Sequence, residues 1–222
     1  MLGADARRIS RLPRPRCRPG IGRRTGGGRV APGGAAGAAT HVCRTSPGTG
    51  HRVYLASPLG FTAAGRVWNR TVLLPAVRTA GLESRDPWRP SPESAQLEAA
   101  LRLPRGPART VALAAADRMV GAANIADIDA SCGLLAVLDG PDADSGTAAE
   151  LGYAAARGLV VVGLRTDLRP GGDNEGVPVN LQLVAFIERS GGAVVADLGN
   201  ALGILRHRLD GTADAAGGSR TA

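Results

Sequence analysis

The sequence contains no lysine, few aromatic residues and few cysteines. All 27 basic residues of the 222-residue chain are arginine, and Phe, Trp and Tyr together make up 3% of it. A hydrophobic core must therefore be built from Ala, Val, Leu and Ile. The three cysteines, Cys17, Cys43 and Cys132, are too few for a disulfide scaffold and show no C-x-x-C spacing. This pattern favours a reducing, cytoplasmic setting.

Several common functional signatures are also missing. No run approaches ~18 uninterrupted apolar residues, so no membrane-spanning helix is expected. The lack of Lys rules out a G-x-x-x-x-G-K-[ST] phosphate loop, and no G-x-G-x-x-G joins a predicted strand to a helix. The histidines His41, His51 and His207 are scattered, which gives little support to a metal site or a Ser-His-Asp triad. The chemistry is therefore expected to rest on carboxylates, tyrosine and amides.

The positive charge is concentrated at the start of the chain. The formal net charge is +8, but residues 1–52 hold eleven Arg and one acidic residue, Asp5. The rest holds sixteen Arg and eighteen acidic residues and is slightly acidic. The net charge therefore does not indicate a globular domain that binds nucleic acid.

Residues 1–50 are rich in Arg, Gly and Pro and have no apolar period. Such a segment cannot bury enough surface to offset its ordering entropy, so it is predicted to be disordered. It lacks the interleaved Phe or Tyr that stack on bases, and it lacks the apolar stretch of ~7–15 residues of a secretory signal. A transit peptide, an inert tail, translated upstream sequence and, less favoured, an arm that binds nucleic acid through its phosphates are the alternatives. A second disordered tail is predicted at 210–222.

From residue 51 onward, apolar runs alternate with segments of helical periodicity. Strands are predicted at 51–59, 133–140, 159–164 and 193–198. Helices are predicted at 62–80, 108–129, 147–157, 179–189 and 199–209. The Pro- and Gly-containing stretch 82–106 predicts a short strand and a loop. Because the strands are apolar throughout and are each followed by a helix, we predict a doubly wound α/β domain over 51–209, with a mostly parallel sheet of about five strands and helices on both faces.

Polar side chains follow the predicted strands. Tyr54 and Ser57 lie at the end of the first strand, Asp144 follows a central one, and Arg165 follows a third. Asn180 opens the next helix. Ligands of doubly wound sheets bind at the carboxyl ends of the strands, so these side chains are expected to converge on one edge.

The densest group of polar residues is LDGPDADSGTAAELGYA at 138–154. Glu150 lies six residues after Asp144, in the first turns of a predicted helix, where the helix dipole and free N–H groups favour an ionised carboxylate. Two neighbouring carboxylates can attack an anomeric carbon and manage the leaving group's proton. The alternative is structural: Thr147-x-x-Glu150 has the spacing of a capping box, and aspartates are common turn formers.

These residues resemble a known family. Asp144-Ser-Gly-Thr-Ala-Ala-Glu150-Leu-Gly-Tyr-Ala is similar to the D-x-G-x-x-x-E-x-G-Y-A signature of nucleoside 2-deoxyribosyltransferases and of the related 2'-deoxynucleoside 5'-phosphate N-hydrolases. Val53-Tyr54-Leu55-Ala56 resembles the family's first strand, and Pro178-Val179-Asn180-Leu181 resembles the segment whose Asn reaches the sugar in a neighbouring subunit's site. The resemblance covers about 51–192.

The resemblance implies a flavodoxin-like fold and a double displacement that needs no cofactor and no metal. It implies that Glu150 attacks C1' of a 2'-deoxyribonucleoside, that Asp144 contacts and helps to protonate the base, and that Tyr54 orients the Glu150 carboxylate. Asn180 would bind the sugar across a subunit interface, which requires a homo-oligomer. Ser57 and Gly146 are placed with the substrate-binding residues. The implied partners are deoxynucleosides and nucleobases.

The chain departs from the family pattern at one active-site position. An ungapped count back from Asp144 places Asn124 where the family has a second Asp, and Asn cannot carry a proton at neutral pH. Asp127, one helical turn further on, replaces it only if the helix faces the site. Asn124 is otherwise a surface residue. In the loop at 165–176, Arg165 and Arg169 are candidate ligands for a 5'-phosphate, or part of a solvated loop.

Three functions therefore stay open from the sequence. The first is a transferase that exchanges bases between deoxynucleosides, and the second is an N-hydrolase of deoxynucleosides or their 5'-monophosphates. The third is a nucleotide-binding module without catalysis, which Asn124 alone supports. Phe61 and Trp68 either stack on the base or belong to the core.

Overall fold

The computed structural model describes residues 50–217, and the side chains of residues 50–211. Its centre is a five-stranded sheet in the order β2-β1-β3-β4-β5, in which every pair of neighbouring strands is parallel. The strands are β1 (Arg52–Ala56), β2 (Glu83–Arg85), β3 (Gly133–Val137), β4 (Val160–Leu164) and β5 (Val194–Val195). This is the strand order of flavodoxin-like folds, so the predicted fold class is confirmed.

Within residues 50–217, seven α-helices connect and cover the strands. They are α1 (Ala63–Trp68), α2 (Leu74–Thr79), α3 (Pro92–Arg102), α4 (Pro107–Asp129), α5 (Ser145–Ala156), α6 (Leu181–Arg189) and α7 (Leu198–Gly217). A π-helical segment, Asn69–Leu73, joins α1 to α2, and a 3-10 turn, Leu59–Phe61, follows β1. The helix predicted over 62–80 is therefore present with an irregular centre.

The alternation of side chains along β1 divides the core into two layers. Val53 and Leu55 pack on one face of the sheet, against apolar residues of α2 and α7. Tyr54 and Ala56 point to the other face, where α4, α5 and α6 pack. Because side chains of a strand alternate between faces, the position of Tyr54 in β1 directs it towards α4 and α5. These two helices carry the other residues of the candidate site.

Two predicted helix ends depend on glycine. Gly81 follows α2 with φ +72° and Gly158 follows α5 with φ +82°. Only glycine adopts this left-handed conformation at no steric cost, which is why it commonly terminates helices.

The structure also differs from the sequence-based predictions. A helix, α3, occupies much of the stretch predicted as a strand and a loop, and it begins with a capping box at Ser91 and Ser94. The last helix continues to Gly217, whereas the prediction ended at 209 with a disordered tail at 210–222. The predicted tail at 1–50 lies almost entirely outside the described residues, as do residues 218–222.

Cys132, which directly precedes β3, takes part in a disulfide bond. Within residues 50–217, no helix is both long and apolar enough to cross a membrane.

Candidate active site

Three polar side chains from different elements meet beyond the carboxyl ends of β1 and β3. The Tyr54 hydroxyl donates a hydrogen bond of 2.7 Å to Glu150 Oε1, and Asn124 Nδ2 donates one of 3.3 Å to the same oxygen. Tyr54 lies on β1, Asn124 on α4 and Glu150 on α5. The strand order reverses between β1 and β3, so this is the switch point where doubly wound folds bind ligands.

Both hydrogen bonds fall on one oxygen of the Glu150 carboxylate. No hydrogen bond from the described residues reaches Oε2, and the Glu150 side chain lines a cavity. The carboxylate is therefore held in one orientation by Oε1 while Oε2 keeps its lone pairs for another partner. This is the arrangement that a positioned nucleophile requires.

Burial raises the pKa of the Glu150 carboxyl, and the charge of Asp144 raises it further. The hydrogen bonds from Tyr54 and Asn124 act in the opposite direction, because they stabilise the charged form. Burial, rather than the helix N-terminus, therefore dominates the pKa of this group. Glu150 lies in the second turn of α5, and the effect of the helix dipole falls off within the first turn.

The Tyr54 hydroxyl donates a hydrogen bond to Glu150 and stays protonated. Burial raises the pKa of the Tyr54 phenol far above its usual range, and the charge of Glu150 adds to the effect. A tyrosine in this environment is a permanent hydrogen-bond donor rather than an acid or a base.

Asp144 caps α5 and also lines the cavity. Its Oδ2 accepts hydrogen bonds from the Thr147 backbone N–H (2.9 Å) and the Thr147 hydroxyl (3.1 Å). The helix therefore begins at Ser145, two residues earlier than predicted, and Thr147 is not its cap. The alternative in which Thr147 and Glu150 form a capping box is wrong, because Glu150 bonds to Tyr54 and Asn124 instead.

A cavity of about 300 Å³ opens in front of these side chains. It has polar residues around Glu150 and apolar walls further out. Its lining residues are Ser57, Phe61, Pro87, Trp88, Leu97, Asp117, Val120, Asn124, Asp144, Gly146, Thr147 and Glu150. Of the predicted site residues, the structure thus brings together Tyr54, Ser57, Asn124, Asp144, Gly146 and Glu150.

Two aromatic residues, Phe61 and Trp88, line the cavity, and only Phe61 was among the aromatic candidates from the sequence. Phe61 and Trp88 form an edge-to-face pair with ring centroids 4.7 Å apart. The Trp88 indole N–H donates to the Ser57 carbonyl (2.9 Å), and its backbone N–H donates to the Asp86 carboxylate (3.0 Å). Trp68, the other aromatic candidate, packs against the core on the opposite face of the sheet. No pattern in the sequence indicated Trp88, because its loop follows a strand of only three residues.

Two other predicted substrate ligands lie outside this cavity. Asp127 forms an ion pair of 2.7 Å with Arg89, so it does not take the position of the missing active-site aspartate. Asn180 is the N-cap of α6, where its side chain accepts a hydrogen bond from the Gln182 backbone N–H.

The two arginines predicted to bind a 5'-phosphate are engaged elsewhere. Arg165 is buried, and its guanidinium donates to the backbone carbonyls of Leu138 (2.6 Å), Gly140 (3.1 Å) and Arg169 (2.8 Å). The Arg169 side chain pairs with Asp167. Neither arginine lines the cavity, so the expectation that they hold a phosphate there is not supported.

A second cavity, of about 360 Å³, lies beside α7 at the amino end of β5. Its lining includes Gly191, Asn200, His207 and Arg208 but no carboxylate. It holds no carboxylate that could form a glycosyl ester, whereas the other cavity holds Glu150, so the cavity at Glu150 is the candidate active site. In the described part of the chain, no group of three or more His, Cys, Asp or Glu side chains is placed to hold a metal ion.

The family model for nucleoside 2-deoxyribosyltransferases matches residues 53–182 of this chain. The matched region contains the point between β1 and β3 where the strand order reverses. It also contains Tyr54, Asn124 and Glu150. The fold and the family match thus define an α/β enzyme of the pentosyltransferase or hydrolase type. The chain belongs to the nucleoside 2-deoxyribosyltransferase family.

The chain is similar to several solved structures. A conserved protein from Enterococcus faecalis V583 is 24% identical, with a TM-score of 0.53, and the match covers 72% of this chain and 99% of that one. A 2-deoxyribosyltransferase from Leishmania mexicana is 24% identical, with a TM-score of 0.49 and coverage of 71% and 97%. A 2-deoxyribosyltransferase from Bacillus psychrosaccharolyticus is 19% identical, with a TM-score of 0.46 and coverage of 67% and 88%. No curated protein matches the chain.

Proposed function

We propose that this protein is a nucleoside 2-deoxyribosyltransferase that acts through a covalent Glu150 intermediate. The observation that carries the proposal is the Glu150 carboxylate, which Tyr54 and Asn124 hold by Oε1 at the wall of a cavity while Oε2 has no hydrogen bond from the described residues. The family match supports the same activity. No cofactor is part of the proposed reaction.

In the first step, Glu150 Oε2 attacks C1' of a 2'-deoxyribonucleoside. A C–O ester bond forms, the C1'–N bond breaks, and its electron pair leaves with the base, which takes up a proton. The transition state resembles an oxocarbenium ion, and a 2'-deoxy sugar reaches it readily because it lacks the electron-withdrawing 2'-hydroxyl. In the second step, a nitrogen of another nucleobase attacks C1', the C1'–O bond to Glu150 breaks and frees the carboxylate, and the attacking base gives up its N–H proton, which replaces the one taken up by the first base.

Asp144 and Asn124 have different roles in this proposal. The Asp144 Oδ1 has no hydrogen bond from the described residues, and the side chain lines the cavity, so Asp144 is the group proposed to contact the base and assist its protonation. Asn124 cannot deliver a proton at neutral pH and instead holds the nucleophile. Ser57 and Gly146 line the same cavity, where they are proposed to contact the substrate.

A product assay tests this function. Purified protein is incubated with deoxyadenosine, with and without free cytosine, and the products are separated by chromatography. We expect deoxycytidine to appear only when cytosine is present. Release of adenine and deoxyribose without exchange identifies a hydrolase instead, and the same assay on deoxynucleoside 5'-monophosphates tests the nucleotide-specific form. Binding without any turnover identifies a nucleotide-binding module.

We also propose that the working form is a homo-oligomer in which Asn180 reaches a neighbouring subunit's substrate. In support, Asn180 lies at the N-terminus of α6 and does not line the cavity of its own chain. Light scattering on the purified protein is expected to give the mass of two or more chains. When inactive Glu150→Ala and Asn180→Ala variants are mixed, shared sites would restore part of the activity. A monomeric, fully active protein contradicts this proposal.

A further inference from the structure

One acidic side chain lies in the active-site cavity away from Glu150. Asp117 and Asn124 both line the cavity, and both are on α4. Residues seven apart lie on the same face of a helix, about 10.5 Å apart along its axis. Asp117 therefore marks the end of the cavity opposite to the reacting carboxylate.

The cavity between these two ends is apolar. Val120 lies between Asp117 and Asn124 on the same helix, and Trp88 and Leu97 line the cavity with it. A flat heterocycle fits such a space, because its faces contact the apolar walls while its polar edges reach the two ends. With the sugar at Glu150, the edge of the base furthest from the sugar points towards Asp117.

Asp117 has no hydrogen bond or ion pair in the described part of the chain, and its side chain is exposed at the mouth of the cavity. An ionised carboxylate accepts hydrogen bonds and donates none. It therefore favours a base whose far edge carries an amino group. A carbonyl oxygen at the same position places two acceptors against each other.

We propose that Asp117 selects for amino-bearing nucleobases, with adenine preferred over hypoxanthine and cytosine over uracil. This inference rests on the proposed function for the position of the sugar. It names the substrate class of the same site, and Asp117 acts there as a specificity residue rather than in the bond-breaking step.

Binding measurements test the selection apart from the chemistry. Titration calorimetry on the full-length Glu150→Gln variant compares deoxyadenosine, with an amino group at position 6 and an acceptor at N1, with deoxyinosine, with a carbonyl at position 6 and an N–H at N1. We expect deoxyadenosine to bind about 10-fold more tightly, as is usual for one hydrogen bond to a charged group. Adding Asp117→Asn is expected to bring the ratio below about 3-fold, because an amide both donates and accepts. Adding Glu188→Gln, an exposed carboxylate outside the cavity, is the matched control and is expected to leave the ratio unchanged.

The possible results distinguish a failure of the Asp117 base selection from a failure of the proposed reaction. Equal binding of the two nucleosides, no binding of either, or a preference that survives Asp117→Asn overturns the role of Asp117. Wild-type protein that exchanges bases without discrimination overturns the inference and leaves the proposed function intact. Wild-type protein that breaks no glycosidic bond, while the Asp117-dependent preference persists, overturns the reaction and supports the base selection.

Discussion

Replacing Glu150 with Gln is expected to abolish base exchange and to stabilise the fold at the same time. The amide keeps an oxygen that accepts the hydrogen bonds from Tyr54 and Asn124, but it cannot form the glycosyl ester. Turnover is expected to fall on the order of 10³-fold or more, as for other covalent nucleophiles. Exchange that persists in this variant contradicts the proposed mechanism.

The stabilisation follows from the raised pKa of Glu150. A group whose pKa is higher in the folded than in the unfolded protein favours folding in its protonated form, and this contribution is lost as the pH rises through the folded-state pKa. Wild-type protein at neutral pH therefore carries a buried charge near Asp144, which the Gln variant lacks. We expect the variant to be more stable by on the order of 1 kcal/mol at pH 7.

The pH dependence of the stability difference tests whether the charge of Glu150 is its cause. Unfolding by urea is measured for wild type, Glu150→Gln and the control Glu188→Gln at a series of pH values. The advantage of Glu150→Gln is expected to shrink as the pH falls towards 4.5, the ordinary Glu value, where Glu150 is protonated in the folded protein. Wild-type activity is expected to fall over the same range, since attack requires the ionised carboxylate. A constant difference between variant and wild type contradicts the electrostatic explanation.

Replacing Arg165 with Met is expected to destabilise the protein by about 2–4 kcal/mol, because buried carbonyls lose their donors. The buried guanidinium joins the loop after β3, through the carbonyls of Leu138 and Gly140, to the loop after β4, through the carbonyl of Arg169. Met keeps most of the apolar volume but no donor. Arg165→Lys is expected to recover only part of the loss, since a single ammonium cannot span the set of carbonyls as a planar guanidinium does.

Arg169→Met is the matched control, because the Arg169 side chain is mostly exposed and pairs with Asp167 at the surface. Its effect on stability is expected to stay below about 1 kcal/mol, as for other exposed ion pairs. Denaturant unfolding of the variants gives the comparison. If Arg165→Met leaves stability unchanged but selectively weakens turnover of deoxynucleoside 5'-monophosphates, Arg165 is a phosphate ligand after all.

Local sequence patterns predicted much of the fold. The apolar runs that became β1, β3 and β4 indicated a parallel sheet because both of its faces are covered. Glycine marked the ends of α2 and α5 through its positive φ. The same patterns failed at α3, because its stretch carries few apolar residues at helical spacing and its start depends on a cap between two serines.

The motif around Asp144 and Glu150 indicated the kind of chemistry, and Tyr54 was predicted as its partner. What the sequence alone determined is therefore the order of the strands and of most helices, since these patterns lie in neighbouring residues, while Glu150 as the nucleophile stays a prediction. Only the tertiary structure decided that Glu150 is not a cap, that Arg165 holds two loops, and that Trp88 and Asp117 share the cavity. These features depend on contacts between residues that are far apart in the chain. Only the packing of α4, α5 and the loops onto the sheet brings those residues together.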